Sequence, residues 1–339
     1  MPDVSILIPA YRPDYFDTCV ASALAQTHRD FELIVSDDCP TDDIEKMLAK
    51  WDDPRIRYVR NPTPRRGATN RDNLLRLARG KFLKFLFDDD LLYPTSVERL
   101  VQTAQATGAK LVFHHRHFID SVGRILHAPT VVPMGAASRL LPEAIYEEMI
   151  GRISNPVGEP TNMLIDAAAL RSIDLPFGTL GRPFRFLTDV ALMYNFVLAG
   201  QPIVGVGFFG SAFRQHTNQN SNERAPSFAA GYFEWEVLAR SARAAGVLSA
   251  EGYRGALHHV REKYRQYQTQ QPVFTRFLAL APFDADGECL DARFLRTLDL
   301  AYLDIDLRLL GPISQPAVAE SQVARVTLED LRHPESTMP

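Results

Sequence analysis

An α/β fold built on an open, mostly parallel sheet flanked by helices is what the sequence predicts, on three observations. In the first third of the chain, short continuous apolar runs alternate with segments of helical periodicity. Three features, Pro9-Ala10-Tyr11, Asp37-Asp38 and Asp88-Asp89-Asp90, fall at the ends of predicted strands, the edge at which such sheets bind ligands. Beyond Glu223 the pattern turns helical, which adds a C-terminal helical extension.

The elements follow in order. Val4–Pro9 is a continuous apolar run, the pattern of a strand buried on both faces. Phe16, Cys19, Val20, Ala23 and Leu24 recur at helical spacing, so Asp14–Thr27 is predicted to be an amphipathic helix. Phe31–Ser36 and Ile56–Arg60 read as strands. Between them Thr41–Trp51 reads as a helix with acids in its first turn, where the helix dipole favours them. After a loop over Asn61–Gly67, Leu74, Leu75, Leu77 and Ala78 mark a helix that Gly80 ends. Lys81–Phe87 is a strand running straight into three aspartates. Pro94 suits a first helical turn, where its missing N–H costs nothing, and Val97, Leu100, Val101 and Ala104 carry the helix behind it. Leu111–Phe118 is another strand. The stretch Asp120–Asn222 is richer in loops, with proline and glycine clustered at Asn155–Pro160 and Pro176–Pro183. It holds one clear helix, Thr188–Leu198, and a strand, Pro202–Phe209. Several helices are expected between Ser227 and Leu310, and weak order from Pro312 onward.

Composition narrows the function. Of 339 residues, 46% are hydrophobic and 23% charged, a balance that buries a real core. The net charge of −4 leaves no general basic surface, which argues against nucleic acid as a partner. Cys19, Cys39 and Cys289 have neither paired nor metal-ligand spacing, so a reducing compartment is expected. No basic leader precedes Val4, and the apolar stretch near Val190–Ala199 is interrupted and too short for a bilayer. The expectation is a cytoplasmic protein, with peripheral membrane contact through a lipid-linked substrate left open.

The acid run carries the chemistry. Three adjacent carboxylates repel one another, and a hard divalent cation such as Mn²⁺ or Mg²⁺ offsets that repulsion while also binding diphosphate oxygens. A solvated turn with one aspartate as a helix cap is the ordinary alternative. The buried run Phe82–Phe87 directly before the acids places them at the ligand edge and favours the metal. On that same edge, Tyr11 offers a ring for stacking on a nucleobase, and Asp37 and Asp38 offer carboxylates to a base N–H. The cluster His114-His115-Arg116-His117 does not make a zinc site, because adjacent strand residues point to opposite faces and cannot all ligate one ion.

These residues resemble the family 2 glycosyltransferases of the GT-A fold. The resemblance rests on Val4-Ser-Ile-Leu-Ile-Pro-Ala-Tyr11, Ala23-Leu-Ala-Gln-Thr27 and Phe31-Glu-Leu-Ile-Val-Ser-Asp-Asp38. It continues through Gly67 to Arg71-Asp72, Ala78-Arg-Gly80-Lys-Phe82 and Phe87-Asp-Asp-Asp-Leu-Leu-Tyr-Pro94, and it covers about the first two-thirds of the chain. It implies a catalytic domain over residues 1–222, with a nucleotide-sugar half (1–120) and an acceptor half (121–222), followed by a helical region (223–339). Pro9, Tyr11, Asp37, Asp38, Arg71, Asp88 and Arg214 would then bind the donor, with Asp88 facing the ribose. Asp89, Asp90 and His216 would hold the metal if Pro94 sets the register, whereas an acid-any-acid reading pairs Asp88 with Asp90, and the sequence leaves both frames open. Asp189, at the start of a helix, would be the catalytic base, although without the resemblance an ordinary helix cap is the favoured reading of that position. Glu159, in Gly158-Glu159-Pro160-Thr161, would lie on the acceptor side. Phe213-Arg214-Gln-His216 with Gln219-Asn-Ser221 resembles the family's closing motif.

The implied reaction is a single displacement with inversion, from a nucleotide sugar (a UDP-sugar favoured) to a glycan, polysaccharide or lipid-linked acceptor. Trp235 lacks the arginine partners of the processive members, so one sugar per encounter is expected. The helical tail is left to shape the acceptor site, form a homodimer or touch a membrane surface. Two rivals are a sugar-phosphate nucleotidyltransferase and a non-catalytic sugar-nucleotide-binding scaffold. The first, like a dinucleotide-binding dehydrogenase, needs a glycine-rich loop where this chain has Pro9-Ala-Tyr-Arg-Pro13.

Overall fold

The computed structural model describes residues 1–61, 67–217, 219, 222–281 and 289–310. The tail expected to be weakly ordered from Pro312 lies outside these residues, as do Asn220 and Ser221 of the closing motif. The first 120 residues run β1 (Val4–Ala10), α1 (Phe16–Leu24), β2 (Phe31–Asp37), α2 (Asp43–Leu48), β3 (Ile56–Arg60), α3 (Gly67–Leu77), β4 (Phe82–Phe85), β5 (Leu91–Leu92), α4 (Ser96–Thr107) and β6 (Leu111–Ile119). There follow β7 (Ile125–His127), β8 (Ala137–Arg139), a π-helical segment Ala144–Ile150, β9 (Met163–Asp166), α5 (Ala167–Arg171), β10 (Gly178–Thr179), β11 (Arg182–Pro183), α6 (Thr188–Leu198) and β12 (Ile203–Arg214). The last described elements are α7 (Pro226–Ala244), α8 (Ala250–Tyr267), α9 (Val273–Leu280) and α10 (Ala292–Leu310).

The main sheet has the order β3-β2-β1-β4-β9-β6-β12-β5, with β7 beside β6 and β8 beside β12. Strands β3, β2, β1 and β4 are parallel, as are β6 and β12, whereas β9 runs antiparallel between β4 and β6. Because β1 pairs on both edges and is covered on both faces, its side chains divide between two cores. Leu7 joins Ile34, Phe85 and Phe113 on one face, while Ile6 and Ile8 join Leu33, Val35 and Val112 on the other. The second core is closed by α1, α2 and α4 through Phe16, Ile44 and Leu100. The first is shared with α6 and with α7–α10, through Phe196, Phe233, Leu257, Phe277 and Leu298.

Several expected elements are shorter. Helix α1 stops at Leu24, not Thr27, because the following groups bond to the lead-in of α4 instead. Thr27 N–H donates to the Pro94 carbonyl at 2.8 Å, and the Gln26 amide donates to Tyr93 O and accepts from Val97 N–H. Helix α4 starts at Ser96, after Pro94 rather than around it. Gly80 lies past the end of α3 and is needed for close approach, since a Cβ there would stand 2.4 Å from Ser5 N. Strand β12 runs on to Arg214, five residues beyond the expected Phe209.

Candidate active site

The acid run occupies the tight turn between β4 and β5, and its three carboxylates point to three different partners. Asp88 Oδ2 accepts the backbone N–H groups of Tyr11 at 2.6 Å and Arg12 at 2.7 Å, holding the turn that leaves β1. Asp89 Oδ2 lies 3.1 Å from His216 Nε2, and the Asp89 carbonyl accepts from the Arg214 guanidinium at 2.9 Å. Asp90 is buried and turned inward, accepting from Thr161 Oγ1 at 2.7 Å and from Arg214 N–H at 3.1 Å. Burial first, and the neighbouring Asp89 charge second, push the Asp88 pKa up to about 7 and hold Asp90 well above the usual carboxylate range. Arg214 is itself engaged from behind, on the carbonyls of Asp120 and Ser121 and over the Tyr15 ring at 4.3 Å.

The other strand ends form the neighbouring wall. Tyr11 is 39% exposed, an uncommon state for an aromatic ring beside a buried strand. Pro9 precedes it within β1, in register with Ser36. Asp38 is buried, and its N–H donates to Ala10 O at 2.8 Å. Asp37 is turned into its own loop, accepting from Cys39 N–H, Tyr58 Oη and the Arg60 guanidinium at 2.7, 2.8 and 2.6 Å. Arg71 packs its guanidinium over Phe177 at 4.3 Å and touches Asp72. Burial draws its pKa below the ordinary arginine value.

The loop 155–161 links the acid run to the start of α6. At one end Thr161 donates to Asp90. At the other, Asn155 Nδ2 donates to Asp189 Oδ2 at 2.7 Å. Asp189 opens α6, and its Oδ1 accepts the N–H of Val190 at 2.8 Å. Burial, followed by the nearby Glu159 charge, raises its pKa to about 7. Glu159 is ion-paired with Arg116 at 3.0 Å, and burial raises its pKa as well. Gly158, at φ +103°, lies directly over the Arg116 guanidinium, where a Cβ would stand 2.3 Å from Arg116 Cζ. Only a glycine meets both demands.

Chemically, Asp89 and His216 present one hard oxygen and one imidazole nitrogen side by side. Among the described residues no three His, Cys, Asp or Glu side chains converge on one point. Such a pair suits Mn²⁺ or Mg²⁺ held jointly by protein and diphosphate, because these ions take few protein ligands where a nucleotide supplies the rest. Asp90 is engaged on both oxygens, by Thr161 Oγ1 and by Arg214 N–H.

Sequence reasoning missed Asn155 and Thr161 as contributors, and it missed Lys84. Lys84 is fully buried in β4, donates to Thr161 O at 2.5 Å and approaches His114 Nε2 at 3.5 Å. Burial lowers its pKa to about 7. A lysine inside an otherwise apolar strand was the available signal. The histidines divide as the alternation requires: His114 packs inward on Ser96 and Phe208, while His117 stacks on Phe209 and meets Tyr93 Oη at 2.7 Å.

Residues 5–173, about half of the chain, match the family model described as Glycosyl transferase family 2. The succinoglycan biosynthesis protein ExoO of Rhizobium meliloti is 28% identical over 160 residues, 47% of this chain and 46% of that protein. Chondroitin synthase of Escherichia coli is 30% identical over 208 residues, 59% of this chain and 30% of that protein. An E. coli UDP-Glc:alpha-D-GlcNAc-diphosphoundecaprenol beta-1,3-glucosyltransferase, WfaP, is 35% identical over 99 residues, 29% of this chain and 39% of that protein. The matched region thus spans less than half the length of each of these relatives. Among solved structures, S. aureus TarS 1-349 in complex with UDP-GlcNAc superposes with a TM-score of 0.54 at 15% identity, covering 89% of this chain and 80% of that one. That likeness shows a shared GT-A fold. No described helix is long and apolar enough to cross a membrane.

Proposed function

Because this chain belongs to glycosyl transferase family 2, we propose that it moves one sugar from a nucleotide-sugar donor to a glycan, polysaccharide or lipid-linked acceptor, with inversion. One observation carries the reading. The loop 155–161 is bonded at one end to the acid run, through Thr161 and Asp90, and at the other to Asp189, through Asn155. That loop couples the carboxylate proposed as the base to the acid run proposed to meet the diphosphate, which supports the reading.

In this mechanism Tyr11 and Asp38 receive the base, and Asp88 holds the Tyr11–Arg12 turn in place beneath it. Asp89 and His216 would hold Mn²⁺ or Mg²⁺, which would supply positive charge to the departing diphosphate. Arg214 sits behind Asp89 and adds to that field, and Arg71 borders the donor from α3. Asp189 takes the proton of the acceptor hydroxyl as its oxygen bonds to the anomeric carbon, and the bond to the diphosphate breaks on the opposite face. Glu159 lines the acceptor side. A UDP-sugar and a diphosphate-lipid acceptor are the favoured substrates, by likeness to the glucosyltransferase WfaP, whose name specifies both. An acceptor of that kind would bring the protein to a membrane surface.

The test is a panel of UDP-, GDP- and dTDP-sugars with Mn²⁺, read by thermal shift and by nucleoside diphosphate release. Donor stabilisation with turnover that Asp189→Asn abolishes is the expected result. Donor binding without any turnover, on any acceptor or on water, would instead favour a binding scaffold.

A further inference from the structure

The segment that delivers Asp189 is gripped by a carboxylate from far along the chain. Helix α6 starts at Thr188 with no side-chain cap at Leu187, and the backbone N–H groups of the three residues that lead into it are bonded by Glu234, on α7. Its Oε1 accepts Arg185 N–H at 2.6 Å, and its Oε2 accepts Phe186 N–H at 3.0 Å and Leu187 N–H at 2.6 Å. Glu234 is fully buried. One turn earlier on the same face of α7, Gly231 receives the Phe186 ring so closely that a Cβ would stand 2.6 Å from Phe186 Cδ1. From the other side, α10 pairs Asp306 with the Arg185 guanidinium at 2.8 and 2.7 Å and sets Tyr302 beneath it at 4.1 Å. Asp189 begins two residues after Leu187.

We propose that Glu234 is a positioning residue for catalysis: α7 fixes the start of α6, and so the Asp189 carboxylate, through three backbone hydrogen bonds. This rests on the reading of Asp189 as the base. It gives the helices after residue 222 a role in the reaction rather than only in packing. A buried carboxylate that accepts three N–H groups is stabilised by them, and each would be left unpaired if it were lost.

Glu234→Gln keeps the size but leaves one oxygen, and turns an amide NH₂ toward N–H groups. In that variant, amide hydrogen exchange over residues 185–190 should speed up at least about tenfold, about 1.4 kcal/mol of lost protection, while β1 and β2 exchange as in the parent. Turnover of the nucleotide sugar selected by the donor panel should fall about tenfold or more in kcat, with donor KM unchanged. Its acidic pH limb should move to lower pH as Asp189 becomes better solvated. Glu234→Asp, which keeps both acceptor oxygens, should recover part of the loss. A merely structural role would lower the melting temperature yet leave the pH limb and kcat in place well below it. Unchanged exchange over 185–190, or unchanged kcat and pH limb, would overturn the proposal. Full activity in Asp189→Asn would instead overturn the base assignment, and the exchange data would still report whether the clamp exists.

Discussion

Turnover should depend on pH through Asp189, and the structure sets both direction and size. Burial and the Glu159 charge raise the Asp189 pKa to about 7, against the pull of Val190 N–H and Arg116. A base works only when ionised, so kcat must fall as the pH drops through that value. Between about pH 8 and about pH 6 the ionised fraction goes from roughly nine-tenths to roughly one-tenth, a fall of about tenfold. An aspartate at its ordinary value would stay ionised across this range and give no limb. The assay is the initial rate of nucleoside diphosphate release at saturating donor and acceptor. Asp88 also has a pKa of about 7, so a limb alone does not identify its owner. Glu159→Gln decides: it removes the charge that raises Asp189 and frees Arg116 to lower it, so the limb should move to lower pH. A flat profile, or a limb that stays or rises in Glu159→Gln, refutes the assignment.

Three further outcomes are expected. EDTA should abolish transfer and Mn²⁺ or Mg²⁺ restore it, with Asp89→Asn requiring more metal for half-activation; activity indifferent to chelation would remove the metal from the site. Lys84, ordinarily at 10.5, is held at about 7 by burial, so between those values the unfolded chain carries the extra proton. Stability relative to Lys84→Met should therefore rise with pH by roughly 1.4 kcal/mol per unit in that window, and a difference in urea unfolding that is constant with pH would contradict a neutral Lys84. Gly158→Ala should lose about 1–3 kcal/mol, from a positive φ and a clash with Arg116, and should lower kcat by displacing Glu159; an unchanged unfolding midpoint would show that Arg116 gives way freely.

What the sequence determined by itself was the scaffold and the edge on which chemistry happens. A strand covered on both faces is apolar at most positions, so Val4–Ala10 and Phe31–Asp37 announce themselves locally. Where such strands end, topology puts their last residues on one rim, so Tyr11, Asp38 and Asp88–Asp90 were legible as neighbours. What only the tertiary structure decided was the use of each group. Three adjacent aspartates look interchangeable in sequence, yet one holds a backbone turn, one meets His216, and one is buried against Thr161 71 residues away. Strand β9 could not be recognised as the antiparallel insertion, since its four residues read only as an apolar patch. Asn155 and Glu234 carry no local signal at all, because their partners lie 34 and 47 residues off in the chain. Periodicity records which face of an element is buried. It holds no record of which distant donor a buried carboxylate meets, and here that meeting fixes the start of α6 and sets Asp189 in place.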